Sequence, residues 1–141
     1  GKNGKITVVT REEGSGTRGA FIELTGLEAK EGDKKVDKTI TTAITQGSTG
    51  AVMTTVAGDP NAIGYASYGS AKDKTDIKSI SVDGQACTEE NLNSGSYKIS
   101  RPFLMLTKEE PIGLSKDFLD FVLGSEGQEI VGEHGYLKTT K

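Results

Sequence analysis

Residues 11–19, Arg-Glu-Glu-Gly-Ser-Gly-Thr-Arg-Gly, gather hydrogen-bond donors around a flexible stretch of backbone. Gly14 and Gly16 let the main chain come close to a ligand. Ser15 and Thr17 add hydroxyls, and Arg11 adds a planar fork that can hold two oxygens at once. The run follows Ile6-Thr7-Val8-Val9-Thr10 and leads into Ala20-Phe21-Ile22-Glu23-Leu24, a β-branched strand pattern and then an apolar helical one. A strand that turns through glycines into a helix start leaves N–H groups unpaired and carries a partial positive charge. The chemistry this favours is capture of an oxyanion.

Other chemistries fit less well. The run lacks the Gly-x-x-x-x-Gly-Lys-Ser/Thr phosphate loop, and Gly14-x-Gly16-x-x-Gly19 matches the dinucleotide pattern only loosely. Glu31 and Asp33 fall near the acidic position that pattern needs, but in a charged stretch with no strand before it. A nucleophilic Ser15, as in an enzyme of phosphate esters, needs a base or a metal beside it. His134 is the only histidine and stands next to Gly135 at a helix end, which reads as a surface cap. Cys87, the only cysteine, reads as a small buried or half-buried residue with no activating base nearby. Neither a metal nor a cofactor is expected. Taken from these residues alone, an anion site and a capped β-to-α turn facing water remain equal readings.

The elements that must position this loop can be traced along the chain. Gly1–Gly4 read as a loose lead-in and Ile6–Thr10 as a buried strand, with Arg11 at its carboxyl end, where open α/β sheets bind ligands. A helix is expected from about Thr17 to Thr25, with Ala20, Phe21 and Leu24 inward and Gly26 ending it. Residues 28–38, dominated by Glu, Lys, Asp and Gly, read as a solvated loop, and 39–45 stay open between strand and frayed helix. Ala51–Ala57 form a second helix, closed by Gly58 and Asp59-Pro60, and Ser48 before it reads as a cap rather than a ligand contact. Asn61–Ala66 read as a short strand whose Gly64 permits close backbone approach.

Further on, 69–76 read as a polar loop and Ile77–Val82 as a strand ending at the Asp83-Gly84 turn. Thr88 caps a short helix. Ile99–Thr107 read as a strand that Pro102 confines to an edge or a crossing position. Ser115 caps a helix carrying Phe118, Leu119 and Val122 on one side and ending at Gly124. Ser125-x-x-Gln128 then has the form of a capping box opening a last helix with Ile130 and Val131. No internal repeat is present.

Length and composition set outer bounds. With 141 residues, 33% hydrophobic and 26% charged, the chain fits one soluble domain with a real core. The net charge of −3 disfavours nucleic acid as a partner, while short-range donors can still hold an anion. No apolar run approaches the ~20 residues that cross a bilayer. A start at Gly1 without a signal-like segment suggests a processed or excised product.

Several segments together resemble one family. Arg11-x-x-Gly14-Ser15-Gly16-Thr17 with Phe21 is similar to the ligand loop of the phosphate-binding proteins that feed Pst-type ABC importers, in the type II periplasmic-binding-protein family. The likeness continues in order through Gly47–Val52, Asn61–Ala66, Ser100–Phe103 and Phe118–Gln128. The resemblance implies a three-layer α/β lobe with a central mixed sheet over 1–141. It also implies extracytoplasmic, lipid-anchored capture of inorganic phosphate, or of sulfate as a surrogate, and delivery to an ABC permease. Arg11, Ser15, Gly16 and Thr17 would bind the anion, with Gly14, Glu13 and Arg18 as candidate supports. The acidic residue at the place of Glu13 orients the arginine in the family, whereas the place of Arg18 is often small or hydroxylic.

The same resemblance implies that a first lobe, with more hydroxyls, a backbone donor and an acidic acceptor, belongs before Gly1, and that Ser100–Phe103 lies in a connection between lobes. A half-site made only of donors should not separate phosphate, which has a proton to give near neutral pH, from sulfate, which has none. Its affinity should be about millimolar or weaker. Apolar faces of 115–123 and 125–133, if uncovered, should favour self-association. A sensory or interaction domain that kept the fold without transport is the remaining alternative.

Overall fold

The computed structural model describes residues 4–139, so the expected lead-in lies outside the described residues except for Gly4. In chain order the elements are β1 (Thr7–Arg11), α1 (Gly16–Thr25), β2 (Glu28–Glu31), β3 (Lys34–Asp37), β4 (Ile44–Gln46), α2 (Thr49–Gly58) and β5 (Ala62–Ile63). They are followed by α3 (Tyr68–Ala71), α4 (Glu89–Asn93), α5 (Leu114–Leu123) and α6 (Ser125–Glu133). β1 is central in a parallel sheet of order β4-β1-β5, while β2 and β3 pair antiparallel as a separate hairpin. The fold is α/β with parallel and antiparallel pairings and flanking helices.

Register fixes what meets at the sheet's carboxyl edge. Val9 pairs with Ile44 and Arg11 with Gln46 across β1 and β4, and Thr7 pairs with Ala62 across β1 and β5. The chain leaves β1 toward β4 on one side and returns from β4 past β1 to β5 on the other. Right-handed connections in opposite directions put α1 and α2 on opposite faces of the sheet. The chain just after β5 agrees: Gly64 meets Val52 and Val56 of α2, whereas its neighbour Tyr65 stacks on Phe21 of α1 with ring centroids 4.2 Å apart.

The core is small and lies where β1 and β5 meet α2. Val9 and Val52 are the fully buried large side chains among the described residues, each worth roughly 1.5–3 kcal/mol of burial. The close approach expected at Gly64 is present, since a Cβ there would fall 2.9 Å from Val52 Cγ1 and 3.2 Å from Val56 Cγ2. Ser48 caps α2 by accepting the Ala51 amide at 3.1 Å, and Gly26, in the left-handed region, closes α1 as expected. Ala20 and Phe21 are half-buried, but Leu24, expected inward, is exposed, because α1 covers the sheet only along its first turns.

Other expectations need correction. Residues 28–38 are a hairpin rather than a loop: low strand propensity is offset by pairing Ala29 with Val36 and by the cross-strand ion pair of Lys35 with Glu28 at 2.7 Å. The open stretch 39–45 resolves into a turn and the start of β4. Ile77–Val82 is not a strand, since only Val82 finds a partner, Gln85, across the Asp83-Gly84 turn. Thr88 caps α4 as expected, and within 69–76 the loop is preceded by the short α3. Residues 99–107 find no strand partner among the described residues, so the strand expected there is not formed.

At α5 the cap is Gly113, and Ser115 instead donates its hydroxyl to the Ile112 carbonyl at 2.8 Å. The capping box is absent: Gln128 donates to the Val122 carbonyl and accepts the Thr139 amide. The end of α6 docks on α3 through bare backbone, where a Cβ on Gly69 would lie 1.9 Å from the Gly135 carbonyl oxygen.

Candidate functional site

β1 and β4 are adjacent parallel strands whose following helices leave toward opposite faces. The crevice beyond their carboxyl ends is the topological switch point, where open α/β sheets bind ligands. Two β-to-α turns open onto it, residues 12–15 from β1 and residues 47–48 from β4. Arg11 links them. Its Nη1 donates to the Thr49 hydroxyl at 2.8 Å, and its Nε and Nη2 donate to the two oxygens of Glu12 at 2.7 and 2.8 Å.

Glu12, not Glu13, is therefore the acid that holds the arginine. Glu13 is exposed, and among the described residues it makes no ion pair. An adjacent acid can reach the guanidinium here because the chain leaves the strand at Glu12, whose amide donates to the Gln46 carbonyl at 3.2 Å. Hydrogen bonds from Arg11 hold the Glu12 carboxyl at about 2, far below its ordinary 4.5, and the same contact raises the guanidinium. Three of the five guanidinium N–H donors are used, and two remain.

The loop after Glu12 divides its groups between structure and open space. Gly14 has φ of 87°, and the Ser15 amide returns to the Glu12 carbonyl at 3.3 Å, so that amide is already satisfied. Ser15 caps α1 by accepting the Arg18 amide at 3.3 Å, which leaves its hydroxyl proton to donate elsewhere. The amides of Gly16 and Thr17 and the Thr17 hydroxyl have no protein partner among the described residues. A Cβ added at Gly16 would meet nothing within 4 Å, so the approach to these amides is open. Among the described residues no base stands at hydrogen-bond distance from Ser15, as a serine nucleophile would need.

Arg11 is not hydrogen-bonded to Ser15 or Thr17; its protein contact across the crevice is Thr49. Tyr65 fixes the arginine's backbone from the other side, with its hydroxyl 2.8 Å from the Thr10 hydroxyl and accepting the Arg11 amide at 3.1 Å. Arg18 is turned toward Asp37 and the Arg11 carbonyl. Thr49, Tyr65, Glu12 and Asp37 are contributors that sequence reasoning did not single out as such. Thr49 and Tyr65 had a visible signal, inside the Gly47–Val52 and Asn61–Ala66 runs, and Glu12 stood in the loop itself, whereas Asp37 had none.

No grouping of His, Cys, Asp and Glu among the described residues could hold a metal ion. His134 ends α6 at the surface, and Cys87 is half-buried with its thiol pushed up by burial. No helix of the described residues is long and apolar enough to cross a membrane.

Comparison with known proteins points the same way. The family profile described as a PBP superfamily domain matches residues 1–126. Phosphate-binding protein PstS 2 of Streptococcus agalactiae is 48% identical over 136 residues, covering 95% of this chain and 46% of that protein. The crystal structure of a phosphate-binding protein of a phosphate ABC transporter from Streptococcus pneumoniae TIGR4 superposes with a TM-score of 0.86 at 40% identity, covering 98% of this chain and 53% of that one. A substrate-binding protein from Clostridium perfringens, solved with bound phosphate, gives a TM-score of 0.76 at 38% identity, over 99% of this chain and 54% of that one. The chain spans about half the length of the relatives it matches.

Proposed function

Because this chain belongs to the PBP superfamily and is PstS-like, we propose that it supplies one half of the phosphate site of a substrate-binding component of an ABC importer. The observation that carries this is the donor set at the β1–β4 crevice. Among the described residues, two amides at the start of α1, the Thr17 hydroxyl and two guanidinium hydrogens of Arg11 have no protein partner and can serve an oxyanion. Ser15 adds its hydroxyl proton and Gly16 its open backbone. Gly14 shapes the turn.

Among the described residues the half-site offers donors and no carboxylate aimed at the crevice to accept a proton. Both Glu12 oxygens are engaged by Arg11, and Glu13 faces solvent. Phosphate has no carboxylate here to take its proton, so phosphate and sulfate bind equally, each at about millimolar affinity or weaker. Tighter and selective binding belongs to a second lobe, of the length by which the relatives exceed this chain, closing on the crevice. Delivery to a membrane permease from an extracytoplasmic, lipid-anchored position belongs to the same proposal. So does association through the apolar side chains left open on α5 and the segment before it, either with that lobe or with a second copy.

Titration of inorganic phosphate into the chain, followed by the amide resonances of Gly16 and Thr17, tests the site. Both resonances move in the wild type, and in Arg11→Met they move only at tenfold or more higher phosphate. Saturable binding that leaves them in place refutes the assignment, and a strong preference for phosphate over sulfate refutes the donor-only character.

A further inference from the structure

The donor loop is braced by a part of the chain outside the site, the charged hairpin β2–β3. Asp37, the last residue of β3, accepts Arg18 Nε and Nη2 on its Oδ2 at 3.0 and 2.6 Å. Its Oδ1 accepts the amide and the hydroxyl of Thr39 at 2.7 and 2.6 Å. Arg18 Nη1 donates to the carbonyl oxygen of Arg11 at 3.1 Å. One guanidinium thus ties together α1, the end of β1 and the hairpin. The Arg18 and Asp37 side chains are 24% and 19% exposed, so solvent screens this pair less than it screens a surface pair.

The peptide unit between Arg11 and Glu12 is the point where this brace acts. Its carbonyl is held by Arg18 and its N–H by the Gln46 carbonyl, so its plane is fixed from both sides. That plane sets where the Glu12 side chain begins, and Glu12 sets where the Arg11 guanidinium points. Burial alone would push Asp37 up; hydrogen bonds from Thr39 and Arg18 outweigh it and hold the carboxyl below its ordinary range, charged at neutral pH.

Resting on the phosphate reading above, we infer that Arg18 and Asp37 are positioning residues of the anion site, through which the hairpin fixes the Arg11–Thr17 loop in its binding geometry. The competing role for Arg18 is simple charge attraction at the mouth of the site. Lysine separates the two, because an ammonium keeps the charge and can keep Asp37 but lacks the fork to hold the Arg11 carbonyl at the same time.

The test is titration of inorganic phosphate by NMR into the 141-residue chain and its variants, with thermal unfolding measured alongside. Arg18→Lys weakens phosphate about three- to tenfold, the worth of one positioning hydrogen bond, while its unfolding midpoint stays near that of the wild type. Asp37→Asn weakens phosphate by a similar factor; should it not fold, Arg18→Lys decides. Glu28→Gln, which removes only the hairpin's own ion pair with Lys35, leaves affinity unchanged. Wild-type affinity in Arg18→Lys, with binding still weakened tenfold or more by Arg11→Met, overturns the positioning role and leaves the phosphate reading standing. Absence of phosphate binding in the wild type, or binding indifferent to Arg11→Met, overturns both.

Discussion

Residues 7–65 and residues 99–139 use their side chains in opposite ways. In the first region nearly every polar group at the sheet edge has a named partner, Arg11 with Glu12 and Thr49, Tyr65 with Thr10, Arg18 with Asp37, and the large apolar groups Val9 and Val52 are buried. In the second, Phe103 is 83%, Leu106 89% and Leu114 87% exposed, and the helix pair α5–α6 leaves Phe118 and Phe121 open as well. The first region thus buries its core valines although Ile40, Ile44 and Ile63 stay exposed there, while the second leaves most of its large apolar side chains open. The unpaired groups of the first region are a few donors at a helix start, which suits a small anion; those of the second are a broad apolar surface, which suits a protein.

The sharpest way to break this contrast is at Arg11. Arg11→Met removes a charged donor from the crevice and should cost about 1.5–3 kcal/mol of phosphate binding, tenfold or more in affinity by titration. A smaller loss would mean that the amides of α1 act without it.

Next in size is a pair of core and surface truncations. Val52→Ala should lower stability by about 2 kcal/mol in denaturant unfolding, since it empties the contact with Gly64. Phe118→Ala, although a larger deletion, should stay within about 0.5 kcal/mol and lessen any self-association seen by light scattering. Equal costs would show that the second region is packed in solution.

Thr49→Val tests the link between the two turns. It removes the acceptor of Arg11 Nη1 and should weaken phosphate a few-fold, about 1 kcal/mol, with little change in stability.

The smallest effect separates the two neighbouring acids. Folding depresses the Glu12 carboxyl to about 2, so its contribution is fully present above its ordinary 4.5 and is lost as pH falls toward 2. Glu12→Gln should flatten the acid limb of a stability–pH curve over that window. Glu13→Gln should leave phosphate affinity as it is.

Much of the first region was legible because local rules operate there. The β-branched run of β1, the glycine-bearing turn, the Ser48 cap and the Gly26 stop are each decided within a few residues. The hairpin 28–37 was not legible, since strands of Glu and Lys form only when cross-strand partners offset weak propensity. Residues 77–82 and 99–107 failed the other way, having strand-like composition and no neighbour to pair with. Arg11, Ser15, Gly16 and Thr17 could be named in advance as candidate donors, whereas the partners that hold them, Glu12, Thr49, Tyr65 and Asp37, could not be assigned those roles.

By itself the sequence determined the kind of chemistry: a strand, a glycine turn and a helix start, with hydroxyls and a guanidinium, offer chiefly donors. Tertiary structure decided which donors are free and which are held. Whether an N–H is available depends on what parallel pairing and crossover handedness bring beside it, here Thr49 from a turn 38 residues away in sequence and Tyr65 from one 54 away. Composition, spacing and periodicity act over a turn or two of chain; the meeting of two turns at one sheet edge is fixed by strand order.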